Sequence, residues 1–309
     1  MSQLASATVI STLTQYARGI FPDLLLNQDP IVARLAPFTP VGAATGKYKE
    51  FSDKNAFQAV NTGRAIGGTA RRLEFLATDK DYNCTPQALE IGIDDHERNA
   101  AGDAENLIEE AKIKTLLAGA AISHVNDVVT AVNAGLAAAA TPAWSNPAVG
   151  TPITDLDAQI AAIADDIGMF PTDIIFGLSA WRYFRSHNQV IGRFPNASVV
   201  GVTTEQASGI LLNPSIRIGV TTAVKDSNKP GGTKATANIL AGNIYLFYSS
   251  PNPTQYDASF AKTFVVGGGG VDSVRRYRDE RARSDILAID WARDIRVAST
   301  ISARRLTVT

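Results

Sequence analysis

The chain of 309 residues is 45% hydrophobic and 19% charged, which excludes an intrinsically disordered protein and allows a sizeable buried core. Its 29 Lys and Arg residues balance 30 Asp and Glu residues, so net charge does not draw it to DNA or to anionic lipid. The single cysteine, Cys84, excludes an intrachain disulfide and a cysteine-rich zinc site.

No secretion or membrane segment is predicted. Residues Met1–Ile10 have neither the basic start nor the long apolar stretch of a signal peptide. Two uncharged stretches, Val128–Thr154 and Ala235–Tyr256, are interrupted by prolines and asparagines, which excludes a continuous apolar membrane helix. We therefore expect no membrane partner.

The first 41 residues are predicted to form an arm rather than a core. Four prolines prevent one continuous helix, although the segment carries apolar residues such as Ile20 and Phe21. An apolar arm with little of its own to pack on is expected to lie along another surface.

Residues 42–86 are predicted to form an extended loop with two strand arms. Alternation around Tyr48 and again around Phe75 indicates the strands, and the glycine-bearing segment Asn61–Ala70 is typical of a flexible tip. A segment with so few apolar residues could not fold alone. We therefore expect this hairpin to project and to pack on another subunit.

A long helix is predicted after a short strand at Leu89–Ile93. It should end at the Thr141-Pro142 stop signal. Its first half carries two apolar faces, so we expect that half to be covered from two sides. The first face comprises Leu107, Ala111, Ala118, Ile122, Val125, Val129, Val132 and Leu136, and the second comprises Ile113, Leu116 and Ala120.

A second module is predicted after the proline-rich segment 141–152. Thr154 and Asp157 resemble a capping box at the start of a helix. The run Asp173–Gly177 predicts a buried strand, and Ser179 is expected to cap the helix that follows. A short helix over Thr203–Leu211 and strands over Ile216–Thr222 and Ile239–Tyr248 complete an α/β module with one central sheet.

The last forty residues are predicted to return to strands, over Val271–Tyr277 and Ile286–Trp291, around a charged turn at Asp279-Glu280. From residue 271 onward there are nine Arg and six Asp and Glu residues. Arginine suits paired contacts with carboxylates, and the interleaved acids would weaken a phosphate-binding surface. We therefore favour salt bridges within and between subunits over DNA binding here.

No catalytic, cofactor or metal site is predicted. Ser179 lacks the closing glycine of a nucleophile elbow, and the glycine-rich loops lack the GK[ST] ending of a nucleotide loop. The best metal candidate, Asp94–Glu97, is interpreted as a strand-to-helix junction. Asp155 and Asp166 lie about three helical turns apart, which is too far for shared acid–base chemistry.

The element order of arm, long loop, long helix, α/β module and returning strands resembles the major capsid proteins of tailed double-stranded DNA bacteriophages, which have the Hong Kong 97-type fold. Local sequence adds to the resemblance, in segments 172–177, 179–182, 202–206 and 274–280, and in the ending at 290–293. It implies an α+β fold with an N-terminal arm, an extended β-hairpin loop, a peripheral domain with a long spine helix, an α/β axial domain and peripheral return strands. These parts correspond to residues 1–41, 42–86, 87–141, 142–256 and 257–309, respectively.

The resemblance implies a structural protein, not an enzyme, that self-assembles through pentamers and hexamers into an icosahedral shell around double-stranded DNA. Assembly would occur in the bacterial host cytoplasm and end in the virion capsid. No cleavable scaffolding segment is visible, so a separate scaffolding protein is expected unless the chain is already mature. A portal and a decoration protein are further expected partners, and packaged DNA would be contacted weakly on the inner surface. Candidate inter-subunit contacts are Arg64, Arg71, Arg72, Arg276, Arg278, Asp279, Glu280, Arg281 and Arg283.

Two other functions stay open at this point. An encapsulin-like shell shares the fold and packages protein cargo, and nothing in the sequence separates it from a phage capsid. A soluble α/β enzyme is disfavoured because nucleophile, metal and phosphate motifs are missing and two projecting segments are poorly packed.

Overall fold

The structure is a computed structural model. It describes residues 11–15, 17, 31–51, 62–64, 66–69, 77–102, 105–194, 202–226, 228, 232–250, 252–267 and 273–309. The helices are α1 (Asp95–Ala101), α2 (Glu105–Gly135), α3 (Pro152–Ile167), α4 (Leu178–Ser186), α5 (Asn188–Ile191) and α6 (Thr204–Gly209), with a turn of π-helix at Ile31–Leu35. The strands are β1 (Phe38–Val41), β2 (Thr45–Glu50), β3 (Thr78–Asn83), β4 (Thr85–Asp94), β5 (Ala138–Ala140), β6 (Asp173–Gly177), β7 (Arg217–Thr221), β8 (Val224–Asp226), β9 (Thr236–Asn238), β10 (Asn243–Phe247), β11 (Ala261–Val266), β12 (Ser273–Asp279), β13 (Ser284–Val297) and β14 (Ala303–Thr307). The predicted α+β class is confirmed.

The first sheet is built around β13, its longest strand. Antiparallel β4 pairs along one edge of β13, while β12 and β11 pair end to end along the other edge. Strand β1 extends this sheet by pairing in parallel with β11. Residues 31–41 therefore belong to the chain's own first sheet and core, where Ile31 and Leu35 are fully buried.

The predicted long helix, α2, packs on the first sheet, and it ends at Gly135 instead of at the predicted Thr141-Pro142 stop signal, because Ala138–Ala140 form strand β5. Only one of its faces is covered in its first half. Ile113, Leu116 and Ala120 are buried there, whereas Leu107 and Ile122 are 66% and 36% exposed. The expectation that this half is covered from two sides is therefore wrong within the chain. Periodicity shows where a helix is apolar but not how many neighbours it has.

The second sheet has the strand order β5-β14-β10-β6-β7, and its central strands β14, β10 and β6 contribute to a buried core on each face. In β6, Ile174 and Phe176 contact the core formed with α3 and α4, while Ile175 contacts the core formed with α2. Because successive strand residues point to opposite faces, a strand between two cores is apolar throughout. This confirms the predicted buried strand Asp173–Gly177, whose five residues are all buried.

Two predicted helix caps are wrong. Helix α3 begins at Pro152, so Thr154 and Asp157 lie inside the helix rather than forming a capping box. Proline is favoured at the first helical position because that position needs no amide hydrogen. Helix α4 begins directly after β6 at Leu178, so Ser179 does not cap it.

A complete capping box instead starts the short helix α6. The Thr203 hydroxyl accepts a hydrogen bond from the backbone amide of Gln206 at 3.3 Å. The side-chain oxygen of Gln206 in turn accepts one from the backbone amide of Thr203 at 3.1 Å. The strand predicted over Ile239–Tyr248 is shorter, at Asn243–Phe247, because residues 239–242 form a turn in which Ala241 has φ +48°.

Candidate assembly surfaces

The hairpin of β2 and β3 is anchored at its base by three aromatic rings. Tyr48 and Tyr82 pack against the fully buried Phe264, with ring centroids 5.3 Å and 4.7 Å away. Burial raises the pKa of both tyrosines, which keeps them neutral. Gly46 fits this packing because a β-carbon there would lie 2.5 Å from the Tyr82 hydroxyl oxygen.

The far part of this hairpin is solvent-facing where the structure describes it. At residues 62–64 and 66–69 every described side chain is exposed, including Arg64 and Ile66. An apolar residue as exposed as Ile66 has no packing partner among the described residues. The predicted contact residues Arg71 and Arg72, and the predicted strand around Phe75, lie outside the described residues.

The second hairpin, β12 and β13, is held by ion pairs. Asp285 forms ion pairs with Arg98 at 2.6 Å, Arg276 at 2.7 Å and Arg278 at 3.4 Å. Burial alone would raise the pKa of Asp285, but the hydrogen bonds from Arg276 and Arg98 outweigh it and hold the pKa at about 2. The buried Glu109 on α2 also forms an ion pair with Arg276, at 2.9 Å, so the network joins the hairpin to the long helix.

Arg278 is likewise engaged within the chain. Its guanidinium binds Asp95 at 2.5 Å and lies 3.6 Å from Glu280, and the Asp95 contact raises the pKa of Arg278. The Arg278 hydrogen bond also lowers the pKa of the Asp95 carboxyl. Arg276 and Arg278 therefore already have carboxylate partners in their own subunit.

The turn of this hairpin presents the other two predicted arginines to solvent. The Asp279 carboxylate accepts from the backbone amides of Arg281 and Ala282, at 2.9 Å and 3.3 Å, which closes the turn. Arg283 has φ +47° and is exposed, as is Arg281. Among the described residues, neither guanidinium has an ion-pair partner. The sequence does not distinguish these four arginines. In the structure two of them have carboxylate partners within the chain, and the other two have none among the described residues.

An exposed apolar stripe runs along α2 and the neighbouring strand β4. Leu89 on β4 is 36% exposed, and its Cδ1 atom lies 3.8 Å from the position of a β-carbon on Gly119. Together with Leu107 and Ile122 on α2, it forms what we call the α2–β4 stripe. The outer edge of β4 is open in the described structure, because β4 pairs only with β13. Open strand edges and apolar stripes of this kind are typical of protein interfaces.

The segment Asp94–Glu97 forms the strand-to-helix junction that the sequence predicts. Asp94 caps α1 by accepting from the His96 amide at 2.7 Å, and Glu97 pairs with Lys112 at 3.0 Å. Within the part of the chain that the structure describes, no three His, Cys, Asp or Glu side chains are placed to hold a metal ion.

The carboxylates considered for acid–base chemistry have structural partners. Asp155 accepts from the Trp144 indole at 2.8 Å, and Asp166 pairs with Arg304. Helix α2 is long and apolar enough over Leu107–Gly135 to cross a membrane, yet half of its most apolar window is buried inside the chain. A core helix passes the same test, so this composition assigns no membrane contact.

No family model matches the chain, and no curated protein matches it. Several solved structures, however, are similar to the chain. A phage-related protein from Bordetella bronchiseptica RB50 is 22% identical over 96% of each chain, with a TM-score of 0.72. The holo-SrpI encapsulin complex from Synechococcus elongatus PCC 7942 is 14% identical, covering 88% of this chain and 85% of that one, with a TM-score of 0.55. Mycobacterium phage Che8 is 13% identical, covering 85% and 84%, with a TM-score of 0.51.

These similarities extend over most of the chain, including both sheets and the long helix. At such low identity they establish the fold alone. The chain has the Hong Kong 97-type fold that phage capsid proteins and encapsulins share.

Proposed function

We propose that this chain is the repeating subunit of a closed icosahedral shell, the major capsid protein of a tailed double-stranded DNA bacteriophage. The observation that carries the proposal is a fold shared with a phage-related protein over 96% of the chain and with the Mycobacterium phage Che8 structure over 85% of it. Its activity is assembly through burial of surface, not catalysis. Pentamers and hexamers need heterologous contacts, in which one patch of a subunit meets a different patch of its neighbour.

Two surfaces of the described structure suit such contacts. One is the outer part of the β2–β3 hairpin with Ile66 and Arg64, and the other is the α2–β4 stripe. Burying exposed apolar area is worth about 25 cal/mol per Å². The described outer residues of the hairpin, 62–64 and 66–69, are not buried by other described residues, and a neighbour's surface would provide a partner for them.

The parts of the chain receive the following assignments in this proposal. Residues 42–86 act as the extended loop over a neighbouring subunit, and residues 1–41 as the N-terminal arm, whose last part, residues 31–41, packs on the chain's own first sheet. Residues 87–141 and 257–309 form the peripheral domain with α2 as its spine helix, and residues 142–256 form the axial domain around the fivefold and sixfold axes. The turn at residues 279–283 would meet copies of itself near local threefold axes.

The proposal implies partners besides further copies of the chain. A separate scaffolding protein, a portal and a decoration protein would complete the particle, and packaged DNA would touch the inner surface weakly. The mature location is the virion capsid, after assembly in the bacterial cytoplasm.

An encapsulin-like shell is the second candidate function, because the encapsulin complex matches with a TM-score of 0.55. The contents of native particles separate the two candidates. Double-stranded DNA that resists nuclease supports the phage capsid, whereas an enclosed protein without protected DNA supports the encapsulin.

Assembly itself is tested by expressing the chain and examining it by sedimentation and negative-stain electron microscopy. Shells, tubes or capsomers are expected. A monomer at every concentration and salt condition would contradict the proposal.

Removing residues 61–70 tests the loop assignment. We expect this deletion to leave a folded subunit by circular dichroism and to impair assembly, because the described residues at this tip contribute nothing to the buried cores. A Gly-Ser replacement of equal length is the matched control for loop length. Unfolding of the isolated subunit on deletion would contradict the assignment.

A further inference from the structure

A buried imidazole lies where α2 packs on the first sheet. His124 is fully buried, and neither of its ring nitrogens has a hydrogen-bond partner among the described residues. Its ring stacks on that of Phe38, the first residue of β1, with centroids 5.1 Å apart and 12° between the ring planes. Buried polar groups without partners are rare in folded proteins, and each calls for an explanation.

A buried arginine on β13 adds a positive charge to this region. The strand register places Arg293 in line with Val265 and Pro40, two residues along β1 from Phe38. Arg293 is only 3% exposed, and its Nη2 atom lies 3.3 Å from the carboxylate of Asp127, three residues beyond His124 on α2. Its Nε and Nη1 atoms have no partner among the described residues.

These surroundings keep His124 neutral. Burial lowers the pKa of His124 well below its usual value of 6.5, and the charge of Arg293 lowers it further. Strand β1 carries no titratable side chain, and neither do the β11 residues in register with it, Thr263–Val266. The face of Phe38 would attract a cation, but far less strongly than the water that it excludes.

We propose that His124 is a pH-sensitive switch for residues 31–41, and that its protonation releases this segment from α2 and the first sheet. Strand β1 lies at the edge of that sheet, and a short edge strand can open without unfolding the rest of the chain. Its opening removes Phe38 from the imidazole and admits water to the ring nitrogens. Release also uncovers Ile31 and Leu35, which are fully buried in the closed form.

The direction of the pH dependence follows from proton binding. In the released form His124 is hydrated and titrates near its usual value, whereas the closed form takes up the proton only at a much lower pH. The closed form is therefore fully stable above pH 6.5 and loses stability about tenfold per pH unit below it, until the pH reaches the lowered pKa. The effect of Asp285 lies between about pH 4 and 2, so the two are separable.

Hydrogen–deuterium exchange of the unassembled full-length subunit tests the switch. After correction for the intrinsic exchange rate at each pH, protection of residues 31–41 should fall at least about tenfold between pH 7 and pH 5. Strand β6 in the second sheet should keep its protection. Unchanged protection of residues 31–41 would overturn the proposal. An equal fall in β6 would also overturn it, because the chain would then unfold as a whole.

Two variants assign the effect to the imidazole. His124→Leu removes the titrating group without breaking a hydrogen bond to a described residue, so protection of residues 31–41 should not change between pH 7 and pH 5. His96→Leu, at an exposed histidine on α1, is the matched control and should behave like the parent chain. A fall in His124→Leu equal to that of the parent chain would overturn the proposal.

Phe38→Ala is the second test, and it decides the matter if His124→Leu does not fold. Because it uncovers the imidazole in the closed form, proton uptake no longer requires release, and most of the pH dependence at residues 31–41 should disappear. A full tenfold fall in this variant would contradict the switch. These measurements use the unassembled subunit, so their outcome does not depend on whether a shell forms or on what it encloses.

Discussion

The two long hairpins of this chain are held in place by opposite chemistry: the β2–β3 hairpin packs on the first sheet, and the β12–β13 hairpin forms part of that sheet. The β2–β3 hairpin packs two tyrosine rings on Phe264. The β12–β13 hairpin gathers three arginines around Asp285 and joins α2 through Glu109. Aromatic packing is insensitive to salt and to acid, whereas ion pairs respond to both. Each hairpin can therefore be perturbed separately, by different conditions.

The largest expected effect comes from removing the aromatic anchor. Phe264→Ala deletes a fully buried ring that contacts both Tyr48 and Tyr82, and such truncations cost about 3–5 kcal/mol of the free energy of unfolding. Urea denaturation of the isolated subunit measures this loss. The control is Phe170→Ala, at a half-exposed position, which should change the unfolding free energy far less. Similar losses for both variants would mean that the hairpin base is not anchored by Phe264.

Acid should weaken the second hairpin and spare the first. The folded pKa of Asp285 is lowered from 3.8 to about 2. Its stabilisation is therefore complete above the unfolded pKa and is lost as pH falls through the folded pKa, between about pH 4 and 2. The shift corresponds to about 2 kcal/mol.

Asp285→Asn isolates this contribution. We expect the unfolding free energy of the variant to fall less steeply than that of the parent chain over the same pH range. Parallel curves for the two chains would contradict the assignment. The pKa values of Tyr48 and Tyr82 are raised above their usual alkaline value, so neither ring changes charge in acid.

A smaller effect is expected at Gly46, where the first hairpin touches its anchor. In Gly46→Ala the new methyl group would meet the Tyr82 ring, which is held by stacking on Phe264. Overpacking of this kind costs roughly 1–3 kcal/mol, partly offset by the lower chain entropy of alanine in the unfolded state. Gly42→Ala is the matched control because nothing lies within 4 Å of a β-carbon there. Thermal melting should show a lower midpoint for Gly46→Ala only, and equal midpoints would contradict the close approach.

Elements with strong periodicity could be predicted from the sequence. The buried strand Asp173–Gly177 is where the apolar pattern places it, and the long helix contains its predicted apolar positions from Leu107 to Val132, although it ends at Gly135 instead of at Thr141-Pro142. The failed caps at Thr154 and Ser179 show the limit of local signals, because a proline and a direct strand-to-helix junction set the helix starts instead.

The surfaces were harder to predict than the elements. The exposure of Leu107 and Ile122 depends on how much of α2 the sheet covers, which no periodicity encodes. The pairing of Arg276 with Glu109 joins residues far apart in sequence, so composition indicated salt bridges without showing which arginines stay open. The stacking of His124 on Phe38 gave no sequence signal, since two separate segments bring these residues together.

The smallest effect on the isolated subunit is expected at the open arginines of the second hairpin. Replacing Arg281 and Arg283 together by Ala should leave subunit unfolding nearly unchanged, because neither has a carboxylate partner among the described residues. If their partners belong to neighbouring subunits, each pair adds about 0–1 kcal/mol, repeated at every equivalent position of a shell. Melting of empty shells should then occur at lower temperature in the double variant, and high salt should reproduce part of that loss in the parent chain.

Arg276→Ala is the contrasting variant, since it breaks contacts with Asp285 and Glu109 and should destabilise the subunit itself. A DNA-binding role for Arg281 and Arg283 predicts empty shells of normal stability with packaging alone impaired, so unchanged shell melting would refute the inter-subunit assignment.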